Sequence, residues 1–465
     1  MPPEEPTLRV AIIGAGPAGF YAAEHLQKQP MPVDIDLFDR LPTPFGLVRG
    51  GVAPDHQKIK SVTRIYDRIA AQPRFRFFGN VEFGRDLTLD DLQAHYHAII
   101  FASGAPTDRP LGIPGEDLPG SHTATAFVGW YNGHPDFRDL EFDLTQEHVV
   151  VVGLGNVAID VTRVLARTIE ELAATDIAPH ALEALRQSRV KTVTVLGRRG
   201  PVQAAFTNPE VKELGEMPGA DFIVDPADLE LDEASQQMLD TGDDRTPQKN
   251  LDTLRAVAGR PAAGKPRRIV MRFCVSPVEL EGEGRLERVR IVRNRLDPDG
   301  RGGVRAVATD QEETIPAGLV FRSVGYRGVP LPGLPFDDRA CVIPNAQGRV
   351  TGPDGATLPG IYVTGWIKRG PSGVIGTNKP CAVETVESLL EDVREKRLGV
   401  SPGLSPEALP EHLASRGVRV VSYGDWQRLD AIERSRGEEA GRPRLKFTTV
   451  AEMLAALDTP EGTES

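Results

Sequence analysis

Gly14, Gly16 and Gly19 stand in GxGxxG spacing within LRVAIIGAGPAGF (residues 8 to 20), and HVVVVGLGNVAID (148 to 160) repeats the pattern with Gly153, Gly155 and Ala158. Such a loop can hold a pyrophosphate. Its first glycine allows a tight turn, the second lets phosphate approach the backbone, and the third permits close packing of helix on strand. The free N–H groups and dipole of the helix N-terminus then face the anion. Two loops in one chain predict two dinucleotides. After the first loop, the strand VDIDLF ends at Asp39, 25 residues beyond Gly14, close to the spacing of about 20 at which an acid meets an adenosine ribose. After the second, KTVTVLG ends at Arg198 and Arg199. A carboxylate there would repel a 2′-phosphate, whereas paired guanidiniums grip one. The second loop is therefore expected to take NADP(H), and the alanine at its third position is a tolerated variation that sets helix and strand slightly further apart. One site holding FAD and the other NADPH would let a two-electron donor serve single-electron chemistry, which side chains cannot perform.

These loops require strand, turn and helix in that order. Apolar β-branched runs precede each loop, and helical patterns follow: FYAAEHLQKQ after the first, and a region from about 157 to 187, with a possible break near ATDIAPH, after the second. The strand YHAIIFASGA (96 to 105) closes the first unit, and AGLVFRSVGYRG (317 to 328) closes the second. GIYVTGWIKRGPSGVIGTNKP (360 to 380) then offers another strand, turn and helix start. The fold class expected is α/β, with two doubly wound Rossmann-like domains. An NADP domain (106–329) is inserted in a discontinuous FAD domain (1–105 and 330–465), whose part beyond about 400 is an extension without a readable motif.

With 465 residues, the chain exceeds what a single core usually holds. Its net charge of −12 argues against nucleic-acid binding, which needs a cationic field. No apolar run reaches the roughly 18 residues of a membrane span, and the start MPPEEPTL resembles no signal or mitochondrial leader. A cytoplasmic location is expected. The cysteines Cys274, Cys341 and Cys381 are too widely spaced for a CxxC pair or an iron–sulfur ligand set, and no metal site is expected.

Longer motifs carry a resemblance. PTPFGLVRGGVAPDHQKIK (42 to 60), GEDLPGSHTATAFVGWYNGHP (115 to 135), GNVAIDVTRVL (155 to 165), GRRGPVQAAFTNPEVKEL (197 to 214), FRSVGYRGVPLPGLPFD (321 to 337) and GWIKRGPSGVIGTNK (365 to 379) resemble the adrenodoxin reductase family. Within that family the chain is most similar to the bacterial ferredoxin–NADP reductases. The resemblance implies hydride exchange between NADP(H) and FAD and one-electron exchange with a ferredoxin. It implies that Ala18, Asp39, Leu47, Val81, Trp366, Gly373, Val374 and Ile375 hold FAD. For NADP it implies Asn156, Val157, Ala158, Arg198, Arg199 and Glu210, with Arg109 and Gly373 as lesser candidates. Asp39 stands where relatives often carry glutamate. His56 and Glu213 occupy positions near the flavin and nicotinamide and are the catalytic candidates. The alternative for His56 is a helix cap formed with Asp55, and Asp160 is a rival partner for its ring.

Two basic surfaces suit an acidic ferredoxin. HQKIKSVTRIYDRIA (56 to 70), taken as one helix, places Lys60, Arg64 and Arg68 in a stripe beside an apolar face of Ile59, Val62, Tyr66 and Ile69. Between Arg245 and Arg272 there are eight basic residues and one acid, Asp252. Other NADPH-dependent flavoproteins, such as disulfide reductases or monooxygenases, and a non-turnover nucleotide sensor are the competing functions. A missing cysteine pair opposes the disulfide reductase.

Overall fold

The computed structural model describes residues 7–300, 303–399, 402–405 and 407–459. A seven-stranded sheet runs in the order 345–346, 349–351, 357–363, 98–101, 8–13, 33–38 and 75–78. Its five strands from 357–363 to 75–78 are parallel. A second, six-stranded sheet is parallel throughout, in the order 121–123, 319–322, 148–152, 192–196, 267–272 and 220–224. All strands of the second sheet fall between those of the first along the chain. The chain passes between the two units through a short antiparallel pair, Thr107–Asp108 against Tyr326–Arg327. This is the doubly wound α/β class expected from the alternation of apolar runs and glycine loops.

Parallel strands are covered on both faces, which explains their continuous apolar runs. The strand Leu8–Ile13 is almost wholly buried, and the helix Pro17–Gln27 packs over it with Phe20, Ala22, Ala23 and Leu26. The region from 157 to 187 is three helices, Asn156–Ala166, Ile169–Ala173 and Pro179–Arg186. A capping box of Thr168 and Glu171 starts the second, and Pro179 in the first turn starts the third.

Two regions depart from the sequence reading. Residues 275–316 form an antiparallel meander, Val275–Glu281, Arg288–Pro298 and Val304–Pro316. Alternation in RVRIVRNRL carried that signal, with Val289 and Ile291 facing inward. The extension beyond 400 is integral to the core. Leu409 and Leu413 enter one side of the first unit, and Trp426, Leu429 and Met453 enter the other. The helix Tyr423–Glu439 leads into residues 442–448, which cross to the second unit. There Arg442 donates to the Thr175 carbonyl at 2.9 Å and to the Ile177 carbonyl. No helix among the described residues is long and apolar enough to cross a membrane.

Candidate functional site

At the first loop, Gly14 has φ +114°, and an added Cβ would lie 2.5 Å from the Ala102 carbonyl oxygen. A Cβ on Gly19 would lie 2.2 Å from the Gly14 oxygen. By contrast, a Cβ on Gly16 would meet nothing within 4 Å. That opening sits at the start of helix Pro17–Gln27, which has no side-chain cap, so its first N–H groups remain for an anion. Asp39 accepts from Ala15 N and Leu41 N, each at 3.0 Å. Burial pushes its carboxyl up, opposed by those two N–H groups. Each carboxylate oxygen retains a lone pair for a sugar hydroxyl. Phe45 N donates to the Ala15 carbonyl at 2.8 Å, which lays Gly46 against Gly16 and leaves Leu47 partly exposed beside the loop. Val81 N donates to the Asp39 carbonyl and its side chain is in the core. Its N–H is thereby committed within the protein.

The strand Thr357–Val363 delivers a third turn to the same edge. Gly365 has φ +75° and approaches so closely that a Cβ would stand 2.7 Å from that of Ala18. Trp366 follows, half-buried, with its ring centroid 5.0 Å from that of Tyr326 on the linking strand and Nε1 donating to the Ser372 carbonyl at 3.2 Å. Arg369 donates to the Ser372 carbonyl at 2.6 Å and to Asn378 Oδ1 at 3.1 Å. It thus pins the turn that carries Gly373, Val374 and Ile375. Gly373 and Val374 are exposed. Ala18, Gly365 and the start of helix Asn378–Arg394 meet at one point.

In the second loop, Gly153 has φ +135°, with a Cβ excluded by the Ser323 oxygen at 2.1 Å, and the space at Gly155 is open. Ala158 is fully buried. Asn156 Oδ1 accepts from Thr207 N at 2.8 Å, tying the loop to helix Asn208–Glu216, and Val157 is half-buried in the uncapped first turn of Asn156–Ala166. Arg198 is exposed and Arg199 half-buried at the end of the strand Thr192–Leu196. Neither guanidinium has an ion pair among the described residues. Burial, and then repulsion from Arg198, pull Arg199 below the usual arginine range, with attraction to Asp299 opposing. Arg109 is exposed on the linker, its N–H on the Gly325 carbonyl at 3.0 Å.

Between the two units lies a charged cluster. His56 Nε2 is 3.1 Å from Glu213 Oε2, while Nδ1 is 3.6 Å from Glu210 and 4.0 Å from Asp160. Arg163 is completely buried and donates to Asp55 (2.6 and 3.1 Å), Asp160 (2.6 Å) and Glu210 (3.0 Å). Burial pushes the Asp55 carboxyl up, but its hydrogen bonds to Arg163 outweigh that and hold it well below the carboxylate range. Burial raises Asp160 to about 6, with Arg163 opposing. The helix-cap alternative fails: His56 precedes helix Gln57–Lys60 without a side-chain cap bond, and Asp55 serves Arg163 and Arg167 instead. Glu213 is the nearer partner of the ring, and Asp160 is held by Arg163.

The basic stripe needs correction. The segment from 56 to 70 breaks into Gln57–Lys60 and Thr63–Ala70, leaving Ile59 exposed and only Tyr66, Ile69 and Ala70 of the second helix buried. Lys60 turns inward onto Asp176, with contacts of 2.7 and 2.8 Å. Arg64 and Arg68 remain exposed. In the second cluster, Lys265 bonds the Met217 and Ala220 carbonyls, Arg267 the Arg167 and Val190 carbonyls, and Arg272 pairs with Glu313. Arg245, Lys249, Arg255, Arg260 and Arg268 are exposed, with no carboxylate within ion-pair distance among the described residues.

Residues 8–194 match the family model described as pyridine nucleotide-disulphide oxidoreductase. NADPH-ferredoxin reductase FprA of Mycobacterium tuberculosis (strain ATCC 25618 / H37Rv) is 46% identical over 456 residues, spanning 96% of this chain and 98% of the relative. NADPH:adrenodoxin oxidoreductase, mitochondrial, of Homo sapiens is 43% identical, spanning 98% of this chain and 93% of the relative. The chain belongs to the adrenodoxin reductase family. The solved structure of Mycobacterium tuberculosis FprA in complex with NADPH superposes on this member of the family with a TM-score of 0.92 at 45% identity, covering 97% of this chain and all of the other. What sequence reasoning missed at this site is Arg163 and the contacts at Phe45, Gly46 and Gly365. Each lies inside a motif that carries the resemblance, Phe45 and Gly46 in PTPFGLVRGGVAPDHQKIK, Arg163 in GNVAIDVTRVL and Gly365 in GWIKRGPSGVIGTNK, but residue type alone marks none of them as a contact.

Proposed function

We propose that the chain is an FAD-dependent NADPH–ferredoxin reductase. The observation that carries this is Arg198 and Arg199, unpaired at the end of a strand beside an open, uncapped glycine loop. The first loop fits FAD: space is open at Gly16, glycine alone is admitted at Gly14 and Gly19, and Asp39, bonded to Ala15 N beside the loop, would take the ribose hydroxyls. Ala18, Leu47, Val81, Trp366, Gly373, Val374 and Ile375 would complete its holder, Val81 without its N–H. When bound, the flavin supplies the exchange of one hydride for two single electrons.

The N–H groups at Asn156, Val157 and Ala158 would receive the NADP pyrophosphate, and Arg198 and Arg199 its 2′-phosphate. Glu210 and Arg109 are the less direct contacts, the former already bonded to Arg163. His56 and Glu213 would hold or move a proton beside the nicotinamide. Imidazole suits that task because its two nitrogens donate and accept on opposite sides. The strand order supports the division into 1–105, 106–329 and 330–465. The ferredoxin is assigned to Arg245, Lys249, Arg255, Arg260 and Arg268, with Arg64 and Arg68 as the alternative surface. Such a contact steers association and weakens with salt.

The purified protein should be yellow, bleached by NADPH far faster than by NADH, and should reduce cytochrome c only when a ferredoxin is added. A colourless protein that FAD does not reconstitute would sink the proposal. Nucleotide binding without ferredoxin-dependent turnover would favour the sensor. The disulfide reductase is opposed by the spacing of Cys274, Cys341 and Cys381, which form no CxxC pair. Gly14→Val should yield protein lacking flavin absorbance, because its Cβ would collide with the Ala102 backbone rather than with a movable side chain. Normal flavin content in that variant would remove the first loop from the argument.

A further inference from the structure

Arg163 is the most deeply buried charge between the two units, and it bonds acids from both. Asp55 comes from the loop of the first unit; Asp160 and Glu210 come from two helices of the second. Its NH2 lies 3.5 Å from His56 Nδ1, and its Nε lies 3.6 Å from Glu213. Five N–H donors in a rigid fork allow one guanidinium to satisfy several carboxylates at fixed angles, which an ammonium cannot do. The imidazole is faced by Glu213, Glu210, Asp160, Asp55 and Arg163. Arg167 sits behind Asp55. Tyr131 and Tyr326 lie near Asp160, from helix Ala124–Tyr131 and from the linker, and the Tyr131 hydroxyl has no hydrogen-bond partner among the described residues. Without Arg163, the ring would sit among carboxylates with little to balance them.

We propose that Arg163 is a positioning residue for His56 and Glu213: its guanidinium locks Asp55 of one unit to Asp160 and Glu210 of the other, and its charge balances the carboxylates around the imidazole. The proposal rests on the reading of His56 and Glu213 given above. Arg163 acts through these neighbours. Its removal therefore changes the charge state of Asp160 and the placement of the ring, while the phosphate contacts of NADPH are untouched.

The test is an infrared titration of the buried carboxyl in the flavin-loaded protein, with the band assigned by its loss in Asp160→Asn. The midpoint should lie near 6 in the unmodified protein. Arg163→Met should raise it by about 1 to 3 pH units, since a cation within contact distance is lost. It should also lower kcat with ferricyanide as acceptor by a larger factor than it raises the KM for NADPH, which changes only through Glu210. Arg163→Lys keeps the charge and loses the fork, so it should lower kcat with a smaller rise in the midpoint. An unchanged midpoint in Arg163→Met, or an unchanged kcat in Arg163→Lys, overturns the proposal. Should Arg163→Met fail to fold, Arg163→Lys carries the test through kcat and the midpoint together. His56→Gln separates the two ideas: unaltered flavin reduction there defeats the role of His56, while the carboxyl titration still judges Arg163.

Discussion

Replacing Arg198 and Arg199 together by alanine is expected to raise the Michaelis constant for NADPH by about two orders of magnitude or more and to leave that for NADH nearly unchanged. Each charge-assisted contact to a 2′-phosphate contributes roughly 1.5–3 kcal/mol, and every 1.4 kcal/mol or so is a factor of ten. Neither side chain has an ion pair among the described residues, and Asp299 attracts Arg199 only at longer range, so their loss should not unfold the protein. Steady-state kinetics with both nucleotides, beside a thermal melt, give the comparison. An unaltered NADPH to NADH ratio would remove the arginines as the source of selectivity. The single replacements should divide the effect unevenly, because Arg199 is the more buried of the two and repulsion between them is relieved when either is lost.

Asp176→Asn should cost about 3–5 kcal/mol of stability at neutral pH, the usual penalty for breaking a buried ion pair by removing one partner. Asp176 is 1% exposed and receives Lys60 from the first unit at 2.7 Å and Lys446 from the C-terminal crossing segment at 3.4 Å. Lys446 also donates to the Arg49 and Asn132 carbonyls, at 3.2 Å each. Three stretches of chain therefore meet on one carboxylate. Burial pushes Asp176 up, but Lys446 and Lys60 outweigh it and hold the group well below the carboxylate range. Its stabilisation is thus complete above the unfolded carboxylate range and is lost as pH falls through the folded value. Burial lowers both lysines, with Asp176 as the opposing attraction. In the asparagine variant their charges are uncompensated, so the deficit should shrink toward alkaline pH as they release protons. Denaturant unfolding at neutral and alkaline pH measures this. An equal deficit at both would show that the lysines are not its cause.

Much of the fold was legible because its signals are local. Gly14, Gly16 and Gly19 specify a turn within a dozen residues, and Asp39, Arg198 and Arg199 each close the strand after their own loop. The strand Arg288–Pro298 was also written in alternation, yet nothing in the chain marks an antiparallel meander as part of a nucleotide-binding unit. The stripe of Lys60, Arg64 and Arg68 misled for a related reason. Helical spacing says which residues share a face, but not that the helix breaks at Ser61 and Val62 or that an acid 116 residues away draws Lys60 inward.

By itself the sequence determined the two glycine loops, their order and the pair of arginines that closes the strand after the second, since each depends on backbone conformation and charge within one strand, turn and helix. The approach of His56 to Glu213 entered only through resemblance to a family. Tertiary structure alone decided that Arg163 lies beneath them, that Lys60 is an internal ion pair, and that the extension binds both units. These contacts join residues separated by 107, 116 and 314 positions. At such distances no periodicity survives, and burial with charge compensation selects the partner.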